Sequence, residues 1–185
     1  MESYLLGLFA GDGWFENRGI RFGTKNFEFA EKIKESLEKT YRKRVVLKLR
    51  KYKDGHSLYI VGLHNKQIRE LFGQKLGTTK NKSKTFIIPN FDKIEDARAF
   101  IAGIFDAEGH SRIWRNQPRV AMEIFNENAA RTIHSFLRND SIKASLSVCS
   151  DGGYRIDITS KRNVERLYAD YPFLRLTFPT GKSQL

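Results

Sequence analysis

Residues 5–13 read LLGLFAGDG and residues 101–109 read IAGIFDAEG. Both nonapeptides carry glycine third and ninth, aliphatic residues around the first glycine, and a carboxylate eighth, Asp12 and Glu108. A repeat at a shift of 96 residues constrains this chain more than any other feature, because a duplicated sequence must build the same unit twice. At that shift SLYIVGLHNKQIRELF (57–72) aligns with GYRIDITSKRNVERLY (153–168), setting Ile60 against Ile156, Ile68 against Val164 and Leu71 against Leu167. IKESL (33–37) matches IHSFL (133–137), and KNKS (80–83) matches TGKS (180–183), both at a shift of 100. The drift between 96 and 100 places small insertions in loops. Two similar halves are expected, 1–88 and 96–185, joined by PNFDKIE at 89–95.

Each half reads alike. Apolar helices at 3–11 and 95–107 open the halves, further helices are expected at 26–41 and 127–138, and last ones at 64–75 and 160–169. Between them the residues alternate, which predicts half-buried strands. Val45, Leu47 and Leu49 alternate with Val46, Lys48 and Arg50. Val120, Met122 and Ile124 alternate with Arg119, Ala121 and Glu123; Ala144, Leu146 and Val148 with Ser145, Ser147 and Cys149; Ile156 and Ile158 with Arg155 and Asp157. One face of each sheet is therefore apolar and should carry helices. The other mixes long cations with Ser, Asp and Glu, the dress of a solvated face or of one lying on nucleic acid.

The two nonapeptides have a physical reading of their own. Gly7 and Gly103 fall inside helices, where glycine costs about 1 kcal/mol relative to alanine. That cost is repaid if two backbones must approach closely, as in small-residue helix crossings. Two copies of one helix packed on each other bring their C-terminal ends together at a pseudo-twofold axis. Asp12 and Glu108 sit at those ends, before Gly13 and Gly109, residues suited to ending a helix. There each acid meets the negative end of the helix dipole as well as the other acid. A pair set against its own electrostatics asks for a cation, and a divalent metal is the simplest.

Charge narrows the partner. Lys and Arg number 33 against 21 Asp and Glu, a net +12, for which a polyanion, most commonly nucleic acid, is the default partner. Residues 1–93 hold 20 of the basic and 10 of the acidic side chains, so the first half should grip phosphates harder. One cysteine, Cys149, allows no internal disulfide. No apolar run approaches the roughly 20 residues of a membrane span, and residues 1–20 lack a signal-peptide layout. A soluble, intracellular protein is expected, in cytoplasm, nucleoid or organelle.

LLGLFAGDG and IAGIFDAEG resemble the two motif copies of single-chain LAGLIDADG homing endonucleases, and the likeness covers nearly the whole chain. The first copy departs from the motif name at Ala10, where the name has Asp. The resemblance implies an α+β fold of two αββαββα halves related by a pseudo-twofold axis. Their two antiparallel sheets would form a saddle on DNA. It implies a monomer that cuts both strands of a long, roughly pseudo-palindromic double-stranded DNA target, leaving short 3′ overhangs, as in intron homing. It implies two or three divalent ions, normally Mg²⁺, at the half-domain interface, bound by Asp12 and Glu108 with help from the backbone carbonyls of Gly11 and Ala107. Lys25 matches a basic position near the metals in some members, and Asn126 is its rough counterpart. Lys82 and Lys182, paired by the repeat, resemble the family's central lysines.

For the DNA surface the candidates are Arg18, Arg21, Lys48 and Arg50 in the first half, with Lys51, Lys53, Lys80 and Lys84 as phosphate binders. In the second half they are Arg112, Arg115, Arg119 and Glu123, then Ser145, Ser147, Arg155 and Asp157. Arginine can read guanine edges with two parallel hydrogen bonds, and Asp or Glu can accept from cytosine. Trp14 and Trp114 are expected to pack rather than to wedge between bases. The histidines show no ligand spacing; His110 alone lies near the acids. The alternative reading is an RNA maturase that assists splicing of its own intron RNA, with or without DNA cleavage; a regulator with this fold and no cleavage ranks third.

Overall fold

The computed structural model describes residues 1–78 and 82–180. In the first half α1 (Glu2–Asp12) runs into the hairpin β1 (Gly13–Glu16) and β2 (Gly19–Thr24), followed by α2 (Phe27–Tyr41), β3 (Val46–Lys51), β4 (Ser57–Leu63) and α3 (Lys66–Lys75). A short helix, α4 (Lys82–Thr85), precedes the crossing to the second half. There α5 (Ile94–Glu108), β5 (Gly109–Trp114), β6 (Gln117–Ile124), α6 (Glu127–Asn139), β7 (Ala144–Val148), β8 (Tyr154–Thr159) and α7 (Lys161–Asp170) repeat the order. Each half is αββαββα, with antiparallel sheets ordered β1-β2-β4-β3 and β5-β6-β8-β7. Helix α5 begins at Ile94, inside the stretch expected to link the halves. Among the described residues no helix is long and apolar enough to cross a membrane.

The motif helices are buried on all sides rather than along one stripe. Residues 4–10 of α1 are all buried, as are 99–106 of α5, because each helix packs on its own sheet and on the other helix. Glycine is what lets them meet. A Cβ on Gly7 would fall on the Phe100 carbonyl, and one on Gly103 on the Tyr4 carbonyl. The core is continuous across this crossing, from Phe22, Leu37 and Phe72 in one half to Met122, Ile133 and Leu167 in the other.

Register corrects the repeat alignment. Gly13, Phe22, Val61 and Leu47 form one cross-sheet row, and Gly109, Met122, Ile156 and Leu146 form its counterpart. Ile156 therefore corresponds to Val61, a shift of 95, and not to Ile60 at 96. A one-residue slip in a strand exchanges its two faces, so Ile60 lies on the face opposite to that of Ile156. The N-caps of α3 and α7, Asn65 and Ser160, are also 95 apart.

Three local expectations change. Leu49 and Val148 lie on the helix-bearing side of edge strands but are 49% and 68% exposed, near strand ends that the helices do not cover. Gly13 and Gly109 end their helices in extended conformation, with φ −82° and −94°, so no left-handed cap requires them. They are glycine for lack of room: a Cβ would overlap the Phe9 ring at one and the Phe105 carbonyl at the other. Trp14 packs over Gly23 as expected, but Trp114 is 49% exposed, with the Arg112 and Arg115 guanidiniums 5.2 and 5.5 Å from its ring centre.

Candidate active site

Asp12 and Glu108 are the last residues of the two crossing helices, each followed directly by the first strand of its sheet. The crossing brings them together: a Cβ on Gly11 would stand 3.2 Å from Glu108 Oε1. Both side chains reach solvent, yet protein crowds their flanks. Desolvation, then the Glu108 charge, pushes the Asp12 carboxyl up to about 6, against the pull of Arg175 and Lys82. Desolvation raises Glu108 as well, while Lys82 and Arg175 draw it down. Among the described residues neither carboxylate has a hydrogen-bond or ion-pair partner.

Among the described residues two cations flank the pair, one from each half. Lys82 at the start of α4 donates from Nζ to the carbonyls of Ala10 (2.5 Å) and Gly11 (2.6 Å), the last turn of α1. Desolvation lowers its ammonium to about 8, although both acids raise it. Arg175, beyond α7, does the same for α5. Its guanidinium donates to the carbonyl of Asp106 and, at 2.5 Å, to that of Gly109. A buried carboxylate sets this arginine in place. Asp106 accepts from Tyr4 Oη (2.6 Å) and from the backbone amides of Leu174 (2.6 Å), Arg175 (3.0 Å) and Leu176 (2.7 Å).

Sequence reasoning found Lys82 and missed Arg175, since the two do not align at any shift the repeat displays. The available signal was Asp106 opposite Ala10: one motif helix carries an extra buried acid and so needs donors from elsewhere. Lys182, expected to pair with Lys82, and Lys80 lie outside the described residues.

Asn126 is not the counterpart of Lys25. It caps α6, accepting from the Ala129 amide, as Asn26 caps α2 by accepting from that of Phe29. Its amide also donates to the Phe86 carbonyl at 2.6 Å, and the residue is 4% exposed, so its hydrogen bonds serve the fold. The residue matching the exposed Lys25 is Phe125, 49% exposed. The two surroundings are thus chemically unequal.

The sheet faces away from the helices hold most of the other candidates. In the first half Arg21, Lys48 and Arg50 share this face, and Arg21 pairs with Glu16 at 2.6 Å. Arg18 and Lys53 stand in the turns that join the strands, with Lys51 at the end of β3; all three are exposed, as is Lys84 on α4. In the second half Arg112, Arg119, Glu123, Ser145, Ser147, Arg155 and Asp157 share the equivalent face, with His110 in the row of Ala121 and Asp157; exposed Arg115 sits in the β5–β6 turn. Glu123 also faces Cys149 and Asp151 across the β7–β8 hairpin, the described group of three with ligand atoms within 4.8 Å of one another.

The acid pair fits a hard divalent cation. Carboxylates and carbonyls are the donors such ions take, and two crowded carboxylates with no hydrogen-bond or ion-pair partner among the described residues keep their oxygens open to a cation. Ala107 adjoins Gly11 across the crossing. The Gly11 carbonyl already accepts from Lys82, leaving one lone pair for a metal.

Solved structures of similar fold include full-length DUF199/WhiA from Thermatoga maritima, matched with a TM-score of 0.67 and 18% identity over 94% of this chain and 55% of that one. This chain thus spans little more than half of that protein. Variants of the homing endonuclease I-DmoI match with a TM-score of 0.66 and 16% identity over 91% and 93% of the two chains. The homing endonuclease I-WcaI, bound to its DNA recognition sequence, matches with 0.60 and 16% over 92% and 79%. The sequence matches no curated protein. A profile of the LAGLIDADG-like domain matches residues 1–77 and again 95–171, one copy over each helix-and-sheet half. With both motif copies at the crossing and each inside one of the two profile matches, the chain belongs to the LAGLIDADG-like domain family.

Proposed function

We propose that this protein is a site-specific DNA endonuclease that makes a double-strand break by metal-dependent phosphodiester hydrolysis and acts as a monomer. The observation that carries this reading is the pair Asp12 and Glu108, crowded together with no hydrogen-bond or ion-pair partner among the described residues, each where a motif helix enters its sheet. Asp12 and Glu108 would hold the metals, normally Mg²⁺, with the Gly11 and Ala107 carbonyls beside them. Ions bound there supply activation of water and stabilisation of the leaving 3′ oxygen. Lys82 and Arg175 hold the two helix ends at fixed carbonyls and set positive charge beside the acids. That charge would offset what develops on the phosphate. The cationic strand faces supply the sequence-independent grip on DNA, and one chain with two halves covers both half-sites.

The test is a cleavage selection on a random duplex library with Mg²⁺, run beside the D12N/E108Q double mutant. A single long site cut on both strands by the wild type alone is the expected result. Absence of cutting by folded protein that binds structured RNA would favour the maturase reading; sequence-specific duplex binding without cutting would favour a regulator.

A further inference from the structure

The two sheet faces occupy equivalent frames with unlike chemistry. In the second half Asp157 lies in the row Asp157–Ala121–Ser145, next to the row Arg155–Glu123–Ser147. At the corresponding points the first half has Gly62–Arg21–Val46 and Ile60–Gly23–Lys48. The first centre holds a single ion pair instead: the Arg21 side chain runs over Gly62, 3.6 Å from where a Cβ would lie, to Glu16 at 2.6 Å.

At the second centre Arg119 donates from Nε to Asp157 Oδ1 at 2.6 Å, with an Nη in ion-pair contact with the same oxygen at 2.6 Å, and Arg155 donates from Nε to Oδ2 at 3.2 Å. An Nη of Arg155 stands 3.5 Å from His110 Nε2. Asp157 is 8% exposed, and Ala121 beneath the cluster is fully covered. Burial alone would raise the Asp157 carboxyl, but Arg119, and then Arg155, outweigh it and hold it below the usual range. Both carboxylate oxygens are thus engaged, which leaves Asp157 poorly placed to accept from a base. The arginines keep free N–H groups and have lost the freedom that long side chains usually surrender on binding.

We infer that Asp157 is a positioning residue that holds Arg119 and Arg155 as a fixed pair of guanidiniums, and that this pair reads guanines at neighbouring base pairs of the half-site under the second sheet. Two guanidiniums tied to one carboxylate are close enough to serve adjacent base pairs, which rise about 3.4 Å. Arginine paired with guanine O6 and N7 is the commonest specific contact in the major groove. The first half, where no acid holds two arginines among the described residues, contributes more to phosphate binding than to base choice. The inference rests on the DNA reading proposed above.

The experiment is a binding selection on randomised duplexes with Ca²⁺ in place of Mg²⁺, using wild type, R119K, R155K and D157N, with Tm measured for each. Each lysine variant keeps its charge and loses the fork. Each should lose roughly 10- to 100-fold of the preference for guanine at one position, a far larger change than in its binding to unrelated duplex. D157N should relax both positions together. A D157N variant with lowered Tm and undiminished guanine preference would overturn the assignment, because the cluster would then be structural only. So would lysine variants that leave every base preference in place. Wild type that binds no duplex, or prefers structured RNA, would instead overturn the DNA reading, and the assignment with it.

Discussion

Tyr4 on the first motif helix donates its hydroxyl to Asp106 on the second at 2.6 Å, across the interface between the halves. The same carboxylate takes three backbone amides from residues 174–176 and is wholly buried. One side chain therefore joins the two halves to the segment that carries Arg175. Removing it leaves four donors unmet. D106A should cost about 3 kcal/mol or more, a fall in Tm of roughly 6–12 °C, measurable by calorimetry. Y4F removes a single donor and should cost about 1 kcal/mol.

The helix crossing tolerates no side chain at its closest points. A Cβ at Gly7 or Gly103 meets backbone of the opposite helix, which cannot move aside as a flexible side chain could. G7A and G103A should each cost about 1–3 kcal/mol in spite of alanine's better helix propensity. Urea denaturation midpoints would show it; unchanged midpoints would mean the helices do not cross at these glycines.

The acid pair gives a pH signature with a definite sign. Asp12 titrates near 6 in the folded protein against about 4 unfolded. The folded state therefore takes up the proton more readily, so metal-free protein loses stability as pH rises through 6. D12N should raise the metal-free Tm at pH 7.5 by roughly 2–4 °C, about 1 kcal/mol once screening at this solvent-reached site is allowed for. The gain should vanish near pH 4. Mg²⁺ should stabilise wild type and not D12N/E108Q, by mass action on the folded state.

Asp140 has the opposite sign. Burial would raise its carboxyl, but the fork of Arg98 at 2.9 and 2.6 Å and the Tyr171 hydroxyl at 2.9 Å hold it below the usual range. Its contribution is complete above the unfolded value near pH 4 and is lost as pH falls through the folded one. D140N should destabilise the protein by about 2–4 kcal/mol at pH 7 and by less at pH 3, as thermal melts at the two pH values would reveal.

DNA affinity should fall steeply with salt. Several lysines and arginines on the strand faces would each displace condensed counterions, with a slope of about −0.9 per phosphate contacted. K48A and R50A should each flatten that slope by about 1. Filter binding at several salt concentrations tests this, and a flat response would argue against the sheet faces as the contact surface.

Much of this molecule is legible in residue identity at fixed spacing. Gly7 with Gly103 and Asp12 with Glu108 announce a duplicated helix crossing ending in paired acids, because small residues permit close approach and acids at helix ends need a cation. Alternation in Val120–Ile124 and Ile156–Ile158 marks strand faces for the same local reason. What the tertiary structure decided depends on contacts between residues far apart in the chain. The 95-residue correspondence of Val61 and Ile156 is set by pairing with Phe22 and Met122, while helix and strand patterns alone tolerate a slip of one. Arg175 reaches the α5 end only because buried Asp106 holds residues 174–176 there, and Asn126 proves a cap through its bonds to Ala129 and Phe86. The clamp on Arg119 and Arg155 likewise exists only once β6 and β8 lie side by side, because an ion pair is a property of distance between side chains and not of their order along the chain.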